Sequence, residues 1–386
     1  MQRLILVYNP RSSRYVDVDR EVISRLRTMK GYAIGKYEVK PTNLDDNIAK
    51  LSKLLKDGDF VLAAGGDATG IIASNGILKS DKDATLAVLP YGNFNDLART
   101  LGTMKFDDVF GEDKSSSVND QDSFIEGGPD YDKAKGSSAS DGRFEVVRDN
   151  GSEIASEPRD DRSRSRADEK LAFRVEATPN GRPLVDGRER SGPRTTHPSV
   201  KKLYPLEIHV DGKFYRYATC YVTIGMTAEA CELFDEPKFR KEMQKGHKSS
   251  WRSYIALVKW YFKNRHKREF IPEFKLNGKL QHKKTSDYAA VSGRSMCRVM
   301  KGGDDYLDPK KFRSMTDRLT NFWRLFKLMV AAILVRTPGT ETTGDTLEFI
   351  KPATVELQAE GEYQVFKNIK TIEIKKGAKC LKVIHN

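Results

Sequence analysis

Residues 60–76 read FVLAAGGDATGIIASNG. The apolar run from Phe60 to Ala64 has the length and composition of a buried strand, and the residues after Gly65 and Gly66 can form a helix. Backbone N–H groups at the start of a helix have no intrahelical partner, and together with the helix dipole they attract anions. Asp67 stands beside this anion site, where a carboxylate suits metal binding or proton transfer better than a plain phosphate clamp. The stretch therefore predicts chemistry on nucleotide phosphates.

Two further strand patterns end in polar turns. The run from Leu86 to Leu89 leads into PYGNFNDLAR, residues 90–99, where Asn95 or Asp96 is placed to cap a helix. Residues 4–14, LILVYNPRSSR, repeat the pattern. Three strands of this kind put three loops on the carboxyl edge of a parallel sheet, which is where open α/β sheets bind ligands.

The chain has 386 residues, enough for two ordinary domains, and a formal net charge of +13. A chain with this positive charge favours anionic partners such as nucleotides, nucleic acid or an anionic membrane surface. A role of the charge in solubility alone is the other interpretation. The four cysteines show no C-x-x-C spacing and the six histidines no H-x-x-x-H pair, which indicates a reduced cytosolic protein without a zinc site. We find no signal peptide, and the longest apolar stretch, residues 325–335, is too short to span a bilayer.

Three segments of the chain differ in pattern. Residues 1–102 alternate strands and helices, which predicts a parallel α/β nucleotide-binding domain. Residues 103–200 are rich in Ser, Asp, Gly and Arg and poor in apolar residues, so we expect a charged, disordered insert. Residues 201–386 alternate apolar and polar positions, with a hairpin turn at Asp211 and Gly212, which predicts an antiparallel β-sandwich domain. The predicted fold class is therefore α/β plus all-β.

The second domain contains two aromatic helical patterns, one of which is strongly basic. Residues 238–284 hold fifteen Lys or Arg with aromatic residues among them. Such a segment suits an anionic membrane interface or nucleic acid, and a core helix with a solvated cationic face is an equally good interpretation. In the other pattern, which starts at Leu319, Trp323, Phe326 and Val330 share one helical face.

The order of these signals resembles the diacylglycerol kinase catalytic-domain family of lipid kinases, which includes bacterial diacylglycerol kinase-like proteins and sphingosine and ceramide kinases. The matching motifs occur along the chain except in the insert. They are Asn9-Pro10, Thr42, Gly65 to Thr69, Asn75-Gly76, Leu89 to Arg99, Ile224 to Glu229, and Glu360 to Glu362. Gly-Gly-Asp alone would be weak, because many strand-to-helix turns contain it, but the ordered set is specific.

The resemblance implies an ATP- and Mg²⁺-dependent kinase that transfers the γ-phosphate to a hydroxyl of a diacylglycerol-like lipid. The first domain would have the fold of NAD kinase and phosphofructokinase, with ATP in the cleft between it and the β-sandwich. Positions at the nucleotide site would be Asn9, Thr42, Gly65, Gly66, Asp67, Ala68, Thr69, Asn93, Asn95 and Asp96. Glu362 falls at the family's proton acceptor. A magnesium-binding loop would comprise Gly302, Asp305 and Leu307.

The chemistry is coherent with these residues. Phosphoryl transfer depends mainly on positioning and charge neutralisation, which a glycine-rich loop and Mg²⁺ supply. A lipid hydroxyl is a poor nucleophile, so a carboxylate should take its proton. Glu362 and Asp67 are the two candidates, one from each domain, and domain closure would assemble the site. The expected partners are ATP, a lipid alcohol and the anionic inner face of the membrane, met peripherally from the cytoplasm; a homodimer is compatible with this, and nucleic acid is unfavoured.

Several positions depart from the family pattern. Ala68 and Asn93 stand where Gly and Thr are usual, Ile71 and Ile72 replace a polar pair, and Glu360 is one methylene longer than the usual Asp. If position 68 needs a positive φ, alanine costs on the order of 1 kcal/mol there. A weakly active or non-catalytic nucleotide-binding relative is therefore an alternative, as is a soluble kinase similar to NAD kinase.

Overall fold

The structure is a computed structural model, and it describes residues 1–12, 14–92, 94–111, 198–235, 271–296, 300–318 and 339–386, with the separate positions 259–260, 262–263, 323, 326–327 and 330–331. Most of the predicted disordered insert and most of the predicted basic segment lie outside the described residues. The described chain forms a parallel α/β sheet and a large antiparallel sheet, which confirms the predicted fold class.

The first sheet has six strands. They are β1 (Gln2–Tyr8), β2 (Tyr32–Glu38), β3 (Phe60–Gly65), β4 (Thr85–Pro90), β5 (Ser199–Leu203) and β18 (Leu381–His385). Their order is β2-β1-β3-β4-β18-β5, and all neighbours are parallel except β18 and β5. Every residue of β3 is buried, because a parallel sheet is covered on both faces and its central strands are apolar throughout.

Helices connect the strands of this sheet. They are α1 (Tyr15–Val18), the π-helical turn Asp19–Ile23, α2 (Ser24–Thr28), α3 (Leu44–Leu54), α4 (Asp67–Ser80), α5 (Asp96–Thr100) and α6 (Phe106–Phe110). All residues of α4 from Thr69 to Leu78 are buried, so this helix is enclosed around its circumference. Ile71 and Ile72 are therefore interior packing residues of α4, which explains why this chain has isoleucine at both positions.

The final strand of the described chain returns to the first sheet. β18 pairs with β4 in parallel, with Lys382 opposite Thr85 and Val383 opposite Leu86. Leu381 and Val383 are buried in the same core as Leu86. The predicted division, with residues 201–386 as the second domain, stays a prediction. The pairing of β18 with β4 was not expected, because an apolar alternation indicates a strand without indicating its partner.

The second sheet is antiparallel, and its core is separate from that of the first. Its strands are β6 (Leu206–Val210), β7 (Lys213–Ala218), β8 (Tyr221–Gly225), β9 (Phe274–Leu276), β10 (Lys279–Leu280), β11 (Asp287–Val291), β14 (Phe312–Asp317), β15 (Thr340–Thr342), β16 (Gly344–Ala359) and β17 (Glu362–Lys376). A short separate pair is β12 (Ser295–Met296) and β13 (Met300–Lys301), and α7 (Met226–Asp235) follows β8.

The strand order of the second sheet is β15-β14-β11-β8-β16-β17-β6-β7, with β9 paired to β16 and β10 paired to β9. The predicted hairpin turn is confirmed, because Asp211 and Gly212 join β6 to β7 and both have a positive φ. No helix within the described ranges is long and apolar enough to cross a membrane.

Polar contacts of β7 help to join the units built on the two sheets. Asn75 of α4 pairs with the backbone of Tyr217 in β7: its Nδ2 donates to the Tyr217 carbonyl at 3.1 Å, and the Tyr217 N–H donates to its Oδ1 at 3.1 Å. Arg216 donates to Asp45, at the start of α3, at 3.0 Å. The second unit therefore rests on α3 and α4 through β7.

Candidate active site

The turn between β3 and α4 packs backbone to backbone against the loop that follows β4. A Cβ on Gly92 would lie 2.2 Å from the Cα of Gly66, and a Cβ on Gly65 would lie 2.3 Å from the Oγ1 of Thr69. Only glycine fits at such close approaches. Gly66 brings no side chain to cap α4, so the first N–H groups of α4 lie where the two loops meet. Ala68 is helical, without the positive φ that would make alanine costly.

Asp67 is the first residue of α4 and caps the next helix. Its Oδ2 accepts the backbone N–H of Asn95 at 3.0 Å, and its Oδ1 accepts that of Asp96 at 2.7 Å. Asn95 occupies the position before α5 with a φ of 56°, and its amide closes the loop onto Gly92 instead of bonding to the helix. The sequence predicted that Asn95 or Asp96 would cap α5. In the structure, the carboxylate that caps α5 is that of Asp67.

Asp96 is buried, and side chains of the second unit hold its carboxylate. Its Oδ2 accepts the hydroxyl of Tyr221 in β8 at 3.2 Å, and its Oδ1 accepts the hydroxyl of Ser295 in β12 at 2.6 Å. Gln358 of β16 donates to the Tyr221 oxygen at 3.3 Å. Because a buried carboxylate requires donors, these contacts fix Asp96 between the two units.

A third carboxyl group comes from the turn between β16 and β17. Glu360 has a φ of 54° and Gly361 a φ of 92°, as in the two-residue turns that suit the twist of antiparallel strands. The buried Glu360 carboxylate accepts the Thr219 hydroxyl at 2.5 Å and the Cys220 N–H. The Cys220 Sγ lies 3.4 Å from the Oγ1 of Thr100, at the end of α5, so Glu360 is held against the first unit.

The three carboxyl groups of Asp67, Asp96 and Glu360 act on one another. Burial and then the charge of Asp96 raise the pKa of Asp67 to about 8, and the charge of Glu360 adds to this shift. Burial raises the pKa of Glu360 to about 7. Carboxyl groups whose charged forms are disfavoured in this way keep a proton near neutral pH, or lose it when a cation approaches. The cluster could therefore face a cation that arrives with a ligand at the start of α4.

Glu362 occupies a different part of the interface. It is the first residue of β17 and is partly exposed. Burial raises the pKa of Tyr215, and the charges of Asp45 and Glu362 raise it further, so both acids lie near this ring. The glutamate whose charge acts on Asp67 is Glu360. The role of Glu362 as proton acceptor stays a prediction.

Thr42 and Asn9 lie in the other two loops at this edge of the first sheet. The buried Asn47 donates its Nδ2 to the Thr42 Oγ1 at 3.1 Å, which orients the threonine at the start of α3. The Oδ1 of Asn9 accepts the backbone N–H of Arg11 at 3.0 Å, so Asn9 shapes the turn that follows β1. Their nucleotide contacts stay predictions.

The loop after β1 touches the loop after β4. Arg14 donates to the Pro90 carbonyl at 3.3 Å, and its guanidinium lies 5.4 Å from the centre of the Tyr91 ring. Asn93, in the same loop, lies outside the described residues. The three loops that the sequence predicted at one sheet edge thus adjoin one another.

The predicted magnesium loop contains a buried lysine. Asp305 and Leu307 bound the 3₁₀ turn Asp305–Leu307, and the Asp305 carboxylate lies 3.6 Å from the Arg313 Nε. The Asp305 carbonyl accepts from the Lys376 Nζ at 2.6 Å, and a Cβ on Gly302 would lie 1.8 Å from a carbonyl oxygen. Within the described ranges, no group of three or more His, Cys, Asp or Glu is arranged to hold a metal ion. An oxygen set that already holds an ammonium does not fit a resident Mg²⁺, because the two cations would repel each other.

Sequence reasoning missed the second-unit groups that complete the carboxyl cluster, namely Thr219, Cys220, Tyr221 and Ser295. The available signal was weak. Thr219 is polar and fully buried between two apolar strands, and a buried hydroxyl requires a partner. Ser295 stands in a short segment that shows no pattern at all, so its contact with Asp96 could only be seen in three dimensions.

Comparison with known proteins agrees with this architecture. Residues 3–115 match the family model of the diacylglycerol kinase catalytic domain. A diacylglycerol kinase of Bacillus subtilis (strain 168) is 32% identical over 109 residues, which make up 28% of this chain and 35% of that protein. The match therefore spans about a third of the length of this curated relative.

A solved structure has a similar fold. The crystal structure of a diacylglycerol kinase from Bacillus anthracis str. Sterne has a TM-score of 0.56 and 12% sequence identity, and the comparison covers 100% of this chain and 97% of that one.

Proposed function

With residues 3–115 matching the diacylglycerol kinase catalytic domain, we propose that this chain is an ATP-dependent kinase of a diacylglycerol-like lipid. The observation that carries the proposal is the carboxyl cluster at the start of α4. Asp67 and Asp96 come from the first unit, and Glu360 of the second unit is held against them through Thr219 and Cys220. Nucleotide and lipid would thus meet between the two units.

The phosphates of ATP would bind at the start of α4. Its first N–H groups and the positive end of its dipole attract anions, and Gly66 and Gly92 allow the two loops to pack closely together there. The three acids nearby would repel a bare polyphosphate, so the substrate would be the magnesium complex of ATP. Mg²⁺ would neutralise charge between the phosphates and Asp67.

A carboxylate would take the proton of the lipid hydroxyl. Glu362 is our candidate for this proton acceptor, on the family resemblance and its partly exposed position at the start of β17. Glu360 is buried and bonded to Thr219 and Cys220, so it would act on Asp67 through its charge. The glutamates at positions 360 and 362 would therefore differ in role, although only one residue separates them.

The lipid would be reached by peripheral membrane association at the cytoplasmic face. Supporting this, Trp323, Phe326 and Val330 are 66%, 49% and 37% exposed, at spacings of three and four residues that suit one helical face. Exposed aromatic and aliphatic side chains on such a face are typical of interfacial helices. A homodimer remains compatible with the proposal.

The test uses the full chain with γ-labelled ATP, Mg²⁺ and mixed micelles of diacylglycerol, phosphatidylglycerol, sphingosine or ceramide. We expect label in one lipid, preferably diacylglycerol. Glu362→Gln should lower the rate on the order of 10²-fold or more, whereas Glu348→Gln, at an exposed position of β16, should leave it unchanged. Glu360→Gln should retain turnover with a shifted pH profile, because it removes a charge that acts on Asp67.

A non-catalytic nucleotide-binding relative is the second candidate. One observation favours it: both oxygens of Asp67 already accept backbone N–H groups of the next helix, which binds this carboxylate into the scaffold. ATP binding without label in any lipid would support this candidate and contradict the kinase proposal. Label in a soluble acceptor such as NAD would instead favour the NAD kinase-like alternative.

A further inference from the structure

Lys376, the last residue of β17, places its ammonium inside the protein at the predicted magnesium loop. The residue is 9% exposed. Its Nζ donates to the Asp305 carbonyl and to the Ser292 hydroxyl, each at 2.6 Å, and to the Tyr204 carbonyl at 3.0 Å. Three hydrogen bonds use the full donor capacity of a lysine.

The three acceptors come from three different parts of the chain. Tyr204 lies between β5 and β6, Ser292 follows β11, and Asp305 belongs to the 3₁₀ turn. Burial lowers the pKa of Lys376 to about 8, and the charges of Asp305 and Asp308 oppose this shift. Two carbonyls, a hydroxyl and two nearby carboxylates form the kind of oxygen environment that hard divalent cations also use.

The loop is shaped around this position by close backbone contacts. Gly302 approaches Gly293 so closely that a Cβ would lie 1.8 Å from the Gly293 carbonyl oxygen, and the Gly302 N–H donates to the Arg294 carbonyl at 2.8 Å. The backbone N–H groups of Ser292 and Gly293 both donate to the Cys220 carbonyl, at 2.7 and 2.8 Å. The loop, the ammonium and the turn that carries Cys220 thus form one continuous hydrogen-bonded unit.

We propose that Lys376 is the resident cation of this loop, so that the segment from Gly302 to Asp308 is ordered by the chain's own ammonium and binds no structural divalent metal. The ammonium occupies the position between these oxygen atoms. Because it belongs to a side chain of β17, a chelator cannot remove it. This inference stands independently of the proposed kinase activity, because it concerns folding and metal content.

Thermal unfolding of the full chain without nucleotide tests the proposal. We expect the wild-type midpoint to be the same, within about 1 °C, in EDTA and in Mg²⁺, because the ammonium of Lys376 already fills the oxygen-rich position of this loop. Lys376→Ala should lower the midpoint by several degrees, on the order of 5 °C. The matched control is Lys375→Ala, the neighbouring residue of β17, which pairs at the surface with Glu373 at 3.1 Å and should change the midpoint by less than about 1 °C.

Metal analysis of the wild-type chain gives a second readout that does not require Lys376→Ala to fold. After dialysis against Mg²⁺ or Mn²⁺ and removal of free ions, we expect far less than one divalent ion per chain. About one ion per chain that is lost in Asp305→Asn would overturn the proposal. An unfolding midpoint of Lys376→Ala equal to that of the wild type would overturn it as well.

Discussion

The side chain of Asn75 and the backbone of Tyr217 exchange two hydrogen bonds, each 3.1 Å long, across the boundary between the two units. Asn75 lies in α4 just beyond the candidate nucleotide site, and Tyr217 lies in the strand that leads to Thr219 and Cys220. This pair therefore couples the helix that would bind phosphate to the turn that holds Glu360.

Asn75→Asp is expected to destabilise the protein by about 2–4 kcal/mol. Asn75 is 3% exposed, and aspartate removes the donor to Tyr217 while it adds a buried charge. Urea unfolding followed by circular dichroism measures the change, with Lys79→Ala at the exposed C-terminal end of the same helix as control. A loss below about 0.5 kcal/mol would show that the pair contributes little to the interface.

Gly92→Ala should displace the two glycine loops, because the added Cβ would lie 2.2 Å from the Gly66 Cα. We expect a loss of about 1–3 kcal/mol in unfolding free energy and at least about tenfold weaker binding of MgATP, which corresponds to about 1.4 kcal/mol. The control is Gly344→Ala, since a Cβ there meets its nearest atoms at 3.6 Å. Calorimetric titration with ATP gives the affinity, and unchanged binding would place the phosphates elsewhere.

Stability without nucleotide should fall as the pH rises. The pKa of Asp67 is raised to about 8 and that of Glu360 to about 7, so the folded protein binds more protons than the unfolded chain. The stabilisation is fully present below the unfolded pKa values, near 4, and disappears as the pH passes the folded values. We expect a decline of about 1–3 kcal/mol between about pH 5 and about pH 8.

Urea unfolding in EDTA at several pH values measures this decline, and Glu360→Gln should flatten it because the neutral amide does not titrate. A decline of equal steepness in Glu360→Gln and Asp67→Asn would contradict the assignment of the proton uptake to this cluster.

Ser295→Ala should disturb Asp96 selectively. It removes a donor 2.6 Å from the carboxylate, and bonds to charged groups contribute about 1.5–3 kcal/mol. We expect a stability loss of that order and a lower rate of phosphoryl transfer, since Asp96 adjoins Asp67. Ser52→Ala serves as control because the Ser52 hydroxyl donates to a carbonyl of its own helix. If Ser295→Ala lowers stability and leaves the rate intact, Asp96 has a structural role alone.

The sequence predicted the elements of the site better than its contacts. The strand-turn-helix around Asp67 was recognisable because a buried apolar run, two glycines and a helical pattern are all local features. That Asp67 caps α5 depends on the approach of Gly66 to Gly92, which no local pattern expresses.

The roles of the two glutamates in the Glu-Gly-Glu turn show the same limit. Glu360 is a residue of the two-residue turn itself, whereas Glu362 is the first residue of β17 and pairs with Ala359, so the turn geometry decides which acid faces inward. Glu360 adopts a positive φ and turns towards Thr219 and Cys220, an orientation that is invisible in the residue order. The burial of Lys376 could not be predicted either, because nothing in the sequence distinguishes this lysine from the other Lys and Arg residues, 67 in all.

The return of β18 to the first sheet has a consequence for the time course of folding. Until residues 381–385 have left the ribosome, one edge of β4 lacks the partner that it has in the finished protein. An unpaired strand edge is a template for mistaken association. The segment that would bind nucleotide is thus synthesised well before the strand that completes its sheet, so a nascent chain cannot form the finished sheet before translation has passed the second unit.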